Sequence, residues 1–162
     1  MEYKITEKDK QDTYVVLPAY NESTRIQPVI DEIAEKGYNI IIVNDGSSDN
    51  TLDVVKESKR KYPERIHIYS LPINRGVGVA TQTGFEAVLN FNPKYIVSMD
   101  SDGQHSPDDL DNVIRPLVTG EAQAVIGVRP LKDMPLSRNF PKNSLSKAYG
   151  KQRSPSTTTG AF

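Results

Sequence analysis

Apolar residues along the chain fall into short continuous runs separated by stretches in which they recur at helical spacing. Thr13 to Leu17 is the first run, broken by Pro18, and Ala19 to Thr24 follow with turn and helix-start chemistry. Ile26, Val29, Ile30 and Ile33 then repeat as one helix face, with Gly37 as the stop. Tyr38 to Val43 is almost continuously apolar, as expected of a strand covered on both faces, and it ends in Asn44, Asp45, Gly46, Ser47, Ser48 and Asp49. A helix carrying Leu52, Val54 and Val55 closes at Pro63, and Ile66 to Tyr69 is a third strand. Pro72, Ile73, Asn74 and Arg75 lead into a glycine-containing helix whose buried side is expected to be Val79, Ala80, Phe85, Val88 and Leu89.

Tyr95 to Met99 is the fourth apolar run, and it stops at Asp100, Ser101, Asp102, Gly103, Gln104 and His105. Ser106, Pro107, Asp108 and Asp109 read as a serine cap, a proline at the first helical position and a carboxylate at the third. Leu110, Val113, Ile114 and Leu117 continue that helix to Gly120, and Ala124 to Val128 is expected to be a fifth strand. Strands alternating with helices imply an α/β fold, a mostly parallel sheet with helices on both faces. Ligands bind such sheets at the carboxyl ends of the strands, so the polar clusters around Glu22, Asp45 and Asp102 are expected to share one crevice.

The chemistry concentrates at Asp100 and Asp102. Residues i and i+2 at a strand end point the same way, so the two carboxylates can converge on one hard divalent cation, with the Gln104 carboxamide as a further oxygen. Magnesium or manganese held by one or two carboxylates keeps open positions for the oxygens of a diphosphate. The plainer reading is an Asp-Ser-Asp-Gly turn. Glu22 or Asp45 can accept two hydrogen bonds from a ribose or a base edge, and Tyr20 can pack its ring on a nucleoside. Their plain readings are a cap, an Asp-Gly turn and an ordinary tyrosine.

Composition narrows this picture. The 162 residues are 36% apolar and 25% charged, ordinary values for a single soluble domain, and the absence of cysteine leaves only oxygen or imidazole ligands for a metal. Met1 to Lys10 is charged and lacks the apolar core of a signal peptide, and no later stretch approaches the length of a membrane span. A cytoplasmic location is expected, either free or peripheral at the membrane face. The net charge of -1 conceals a split: from Arg129 onward seven Lys or Arg face the single Asp133. A basic tail of this kind can touch phosphates, nucleic acid or an anionic membrane surface, and its plainer reading is a solvated segment; for the chain as a whole no nucleic-acid partner is expected. Leu131, Met134, Leu136, Phe140 and Leu145 are scattered among prolines, and Ser154 to Gly160 is a low-complexity polar run, so the tail is expected to hold little regular structure. The expected organisation is a polar lead-in at 1–12, one domain at 13–129 and a basic, irregular tail at 130–162.

Three clusters together, Val15-Val16-Leu17-Pro18-Ala19-Tyr20-Asn21-Glu22, Ile42-Val43-Asn44-Asp45-Gly46-Ser47-Ser48-Asp49 and Met99-Asp100-Ser101-Asp102-Gly103-Gln104-His105, resemble the family 2 glycosyltransferases. The branch they look most like includes dolichyl-phosphate mannosyltransferases and bacterial polyprenyl-phosphate glycosyltransferases. The resemblance implies a GT-A fold, a UDP- or GDP-sugar donor and a divalent metal, Mg2+ or Mn2+. It gives Pro18, Tyr20 and Glu22 the nucleoside, Asp45 the base, and Asn74, Arg75 and Gly76 the donor diphosphate. Asp100 and Asp102 take the catalytic and metal role, Ser101 lies between them on the donor, Gln104 stands beside the metal, and Arg129 matches an arginine that follows the fifth strand.

Relatives continue past the fifth strand with the acceptor half of the site, including a carboxylate general base, and here only Asp133 follows Arg129. A phosphomonoester, with its second pKa at about 6, is already a nucleophile and needs no such base. The expected acceptor is therefore a polyprenyl or dolichyl phosphate. The rival expectation is a catalytically incomplete remnant or subunit that binds nucleotide sugar without turnover. Nucleotidyl transfer would need a glycine-rich basic loop after the first strand, which Pro18 to Glu22 is not. Gly76, Gly78 and Ala80 echo a dinucleotide fingerprint, but after the wrong strand. His67 reads as structural and His105 as a neighbour of the acidic turn.

Overall fold

The computed structural model describes residues 3–103 and 107–127. The chain divides into two units, Met1–Ile126 and Gly127–Phe162, and the structure below is that of the first. The order is α1 (Glu7–Gln11), β1 (Thr13–Ala19), α2 (Ile26–Glu35), β2 (Asn39–Asp45), α3 (Thr51–Lys61), β3 (Ile66–Leu71), α4 (Val77–Val88), β4 (Tyr95–Ser98) and α5 (Leu110–Val118). The four strands form one parallel sheet in the order β3-β2-β1-β4.

Alternation along the central strands sorts side chains to two cores. Val15, Leu17, Ile40 and Ile42 face Ile26, Ile30 and Ile33 of α2, Val55 of α3 and Ile114 of α5. Val16, Ile41 and Val43 face Ala80, Ala87 and Val88 of α4. Helices thus cover both faces, as the continuous apolar runs of β1 and β2 require.

The lead-in contains a helix that its polar composition hides. Thr6 caps α1 by accepting from the Asp9 N–H at 3.2 Å, while Asp9 accepts from the Thr6 N–H at 2.8 Å.

The buried side of α4 differs from the expected one. Ala80, Gly84, Ala87 and Val88 meet the sheet, whereas Val79, Phe85 and Leu89 are exposed. The reason is Gly84: a Cβ there would lie 2.3 Å from Val16 Cγ1, so the helix approaches the sheet on its small-residue side.

Two further expectations change. Pro107–Asp109 is a turn of 3-10 helix ahead of α5, and Asp109 is its N-cap rather than its third residue. Residues 124–127 of the expected fifth strand pair with nothing in the sheet, and Ile126 is 72% exposed. A β-prone run without a partner row of backbone groups forms no ladder. Val128 of that run, Gln104, His105, Ser106, Arg129 and the basic tail lie outside the described residues. Among the described residues no helix is long and apolar enough to cross a membrane.

Candidate active site

The chain leaves β1 toward β2 and β3 and then returns to β1's other side at β4, so the strand order reverses between β1 and β4. Outside the carboxyl ends of those strands, where such sheets bind ligands, lies a cleft of about 280 Å³. It is lined by Pro18 near the end of β1, Tyr20 and Glu22 after it, Asp45 at the end of β2, Asn74, Val77 and Ala80 around the start of α4, and Asp100, Ser101 and Asp102 after β4. The three polar clusters that the sequence analysis placed in one crevice do meet.

Asp100 is exposed and Asp102 half-buried, and both line the cleft. Ser101 between them is 4% exposed and donates its hydroxyl to the Pro18 carbonyl at 2.8 Å. Alternation therefore sends two carboxylates to the cleft and one hydroxyl to the scaffold. Ser101 fastens the acidic turn to the end of β1, a bond across 83 residues that no local pattern announces.

Asp45 is 2% exposed, and both its oxygens hold the loop before α4: Oδ1 accepts from the Arg75 N–H at 2.7 Å and Oδ2 from the Gly76 N–H at 2.8 Å. Asn74 Oδ1 also accepts from the Gly76 N–H, at 2.9 Å. Gly46, at φ +61, lets the two loops touch, since a Cβ there would lie 2.3 Å from the Ile73 carbonyl carbon. Arg75 joins the site through its main chain; it is not among the residues lining the cleft.

Tyr20 is 45% exposed, leaving its ring open to a planar ligand. Glu22 Oε2 is enclosed, and Arg25 Nε lies 3.0 Å away in ion-pair rather than hydrogen-bond geometry. Glu22 is thus a cleft-lining carboxylate with one enclosed oxygen that no hydrogen bond satisfies. Val77 and Ala80, which the sequence analysis gave no site role, form an apolar wall; the glycine-bearing start of α4 was their signal.

Among the described residues no cluster of three or more His, Asp or Glu suited to a metal occurs. Asp100 and Asp102 nonetheless fit a hard cation by their chemistry: two carboxylates one residue apart on one cleft wall, where the described lining residues offer oxygen rather than imidazole or sulfur ligands. His67 stands apart from the cleft, its ring 4.2 Å from that of Phe91, and burial together with Lys59 pushes its pKa down.

Comparison with known proteins adds a lineage to this geometry. A UDP-N-acetylglucosamine–dolichyl-phosphate N-acetylglucosaminyltransferase of Methanococcus voltae is 34% identical over 150 residues, covering 82% of this chain and 60% of that protein. A polyprenol monophosphomannose synthase of Mycolicibacterium smegmatis is 31% identical over 126 residues, covering 76% of this chain and 47% of that one. The chain thus spans less than two thirds of these relatives' length. Among solved structures, glucosyl-3-phosphoglycerate synthase from Mycobacterium tuberculosis in complex with Mn2+, UDP and glucosyl-3-phosphoglycerate superposes with a TM-score of 0.55 at 27% identity, over 71% of this chain and 42% of that one. The fold is the GT-A arrangement. The sequence model of the family described as "Glycosyl transferase family 2" matches residues 14–161, and the chain belongs to that family.

Proposed function

We propose that this chain carries the donor site of a metal-dependent glycosyltransferase that moves a sugar from a UDP- or GDP-sugar to a polyprenyl or dolichyl phosphate. The observation that carries the reading is the meeting of Asp100 and Asp102 with Tyr20, Glu22 and Asp45 on one cleft where the strand order reverses. Asp100 and Asp102 would hold the cation, and the family resemblance adds Gln104, which lies outside the described residues. When bound there, Mg2+ or Mn2+ would supply positive charge against that growing on the departing diphosphate.

The remaining steps belong to the chain's own groups. Tyr20 stacks on the nucleoside against Pro18, and Glu22 accepts hydrogen bonds from ribose hydroxyls or the base edge. Asp45 holds Arg75 and Gly76 so that the N-terminal end of α4, which lines the cleft, meets the diphosphate with its positive dipole end. Arg129, outside the described residues, is given to the donor by the family resemblance alone. A lipid phosphate attacks without a protein base, because it is largely ionised near neutral pH. The relatives' names and the basic segment from Arg129 onward support that acceptor, which brings the protein to the cytoplasmic face of a membrane.

The test is a thermal-shift titration with UDP, GDP and their sugars, each with Mn2+, Mg2+ or chelator, followed by transfer of labelled sugar to polyprenyl phosphate. Ligand bound only by the folded state raises the melting temperature. A metal-dependent shift with transfer to the lipid phosphate is expected. No shift with either nucleotide sinks the donor site, and binding without transfer sinks the enzyme while leaving the nucleotide site intact.

A further inference from the structure

Tyr20 and Glu22 line the cleft on either side of Asn21, which does not. Asn21 is at φ +54, a left-handed conformation that a non-glycine residue holds only when its surroundings enforce it. Three successive backbone N–H groups in this loop are all taken up by the loop after β2 and the first residue of α3. That of Asn21 donates to Ser47 Oγ at 3.0 Å, that of Glu22 to Thr51 Oγ1 at 2.8 Å and that of Ser23 to Asp49 Oδ2 at 3.2 Å. In return Asn21 Oδ1 accepts from the Ser48 N–H at 2.9 Å. Asp49 Oδ1 accepts from the N–H of Thr51 at 2.9 Å and from its hydroxyl, so Thr51, which is fully buried, links Asp49 to Glu22.

We infer that Asn21, Asp49 and Thr51 are positioning residues that clamp the Tyr20–Glu22 wall of the cleft through its main chain and thereby set the affinity for the nucleotide end of the donor. The second half rests on the donor-site reading; the first half does not. Neither Asp49 nor Thr51 lines the cleft, so each acts through Tyr20 and Glu22. The bonds join segments 26 to 29 residues apart, and the hydroxyl of Thr51 is the piece whose loss leaves a neighbour's N–H without its acceptor.

The experiment compares wild-type protein with Thr51→Val, Thr51→Ser and Asn21→Gly. Thr51→Val preserves shape but removes the hydroxyl, and Thr51→Ser restores it. Asn21→Gly keeps the backbone conformation easily and removes the acceptor. Amide exchange at Asn21, Glu22 and Ser23 is read by NMR, and binding of UDP and GDP with Mn2+ by calorimetry. Exchange at these amides is expected to quicken by about tenfold in Thr51→Val and Asn21→Gly, with nucleotide affinity falling in step, Thr51→Ser staying close to wild type and the β1 amides unchanged. Unchanged exchange, equal damage from Thr51→Ser, or faster exchange with undiminished affinity overturns the inference. Should Thr51→Val fail to fold, the exposed Asn21→Gly decides it. Wild-type protein that binds neither nucleotide overturns the donor-site reading and the affinity half, while the exchange rates still decide the clamp.

Discussion

The Asp45 carboxylate accepts the Gly76 N–H at 2.8 Å, tying the end of β2 to the first residue before α4 across 31 positions. Its other oxygen accepts from Arg75, so one buried side chain sets the course of the main chain into the helix that forms the cleft wall. Asp45→Asn keeps a single acceptor and turns an NH₂ toward the second N–H. A loss of about 1–3 kcal/mol of stability is expected, read as a lowered urea midpoint at constant m-value. A midpoint equal to wild type would mean that the loop is held by other contacts.

Gly84→Ala forces a methyl group into Val16, and overpacking of this kind costs about 1–3 kcal/mol. The expected melting temperature is lower than wild type. Val16→Ala in the same chain is expected to recover part of the loss, because it empties the space the new methyl needs. A double variant no more stable than the sum of the two single losses would place the strain elsewhere.

Asp102→Ala is expected to abolish metal-dependent stabilisation by nucleotide, read as the melting-temperature shift of each protein against its own unliganded value. A shift with UDP or GDP and Mn2+ that survives the substitution would remove Asp102 from the metal site.

Asp49 gives the clamp an acid limit. Desolvation raises its carboxyl, but hydrogen bonds from Thr51 and Ser23 outweigh that and bring it down to about 2, against an ordinary aspartate near 3.9. The folded value lies below the unfolded one, so the stabilisation is whole above about pH 4 and fades as pH falls through about 2. A carbon-13 titration of the Asp49 carboxyl should give a midpoint near 2 in wild type and a higher one in Thr51→Val. A wild-type midpoint near 4 would show that the bonds do not favour the ionised form.

What was legible in the chain was whatever a period or a run could carry. Tyr38 to Val43 read as a doubly covered strand because burial on both faces leaves almost no polar position in it, and Thr13 to Leu17 read as a strand from its apolar run. Asp100, Asp102, Glu22 and Asp45 were legible as a set because a parallel sheet sends every strand end to one side. Contacts made across the sequence were not: nothing near Ser101 announces Pro18, and nothing near Thr51 announces Glu22. The side of α4 that meets the sheet was misread for a related reason. Hydrophobicity favoured Phe85 and Leu89, while the distance to Val16 favoured Gly84. In α1 the signal was a capping pair, Thr6 and Asp9, on a helix with no buried residue.

The loops that line the cleft are not independent parts. The one after β1 is bonded to the one after β2, the end of β2 to the one before α4, and the one after β4 to the end of β1. A graft that imported a single loop from a relative to change sugar or base preference would arrive without its bonding partners on the neighbouring strand end. Retargeting this domain therefore requires exchanging loops as matched pairs, and natural divergence in donor choice is expected to leave its substitutions correlated between Tyr20–Ser23 and Ser47–Thr51 rather than scattered one loop at a time.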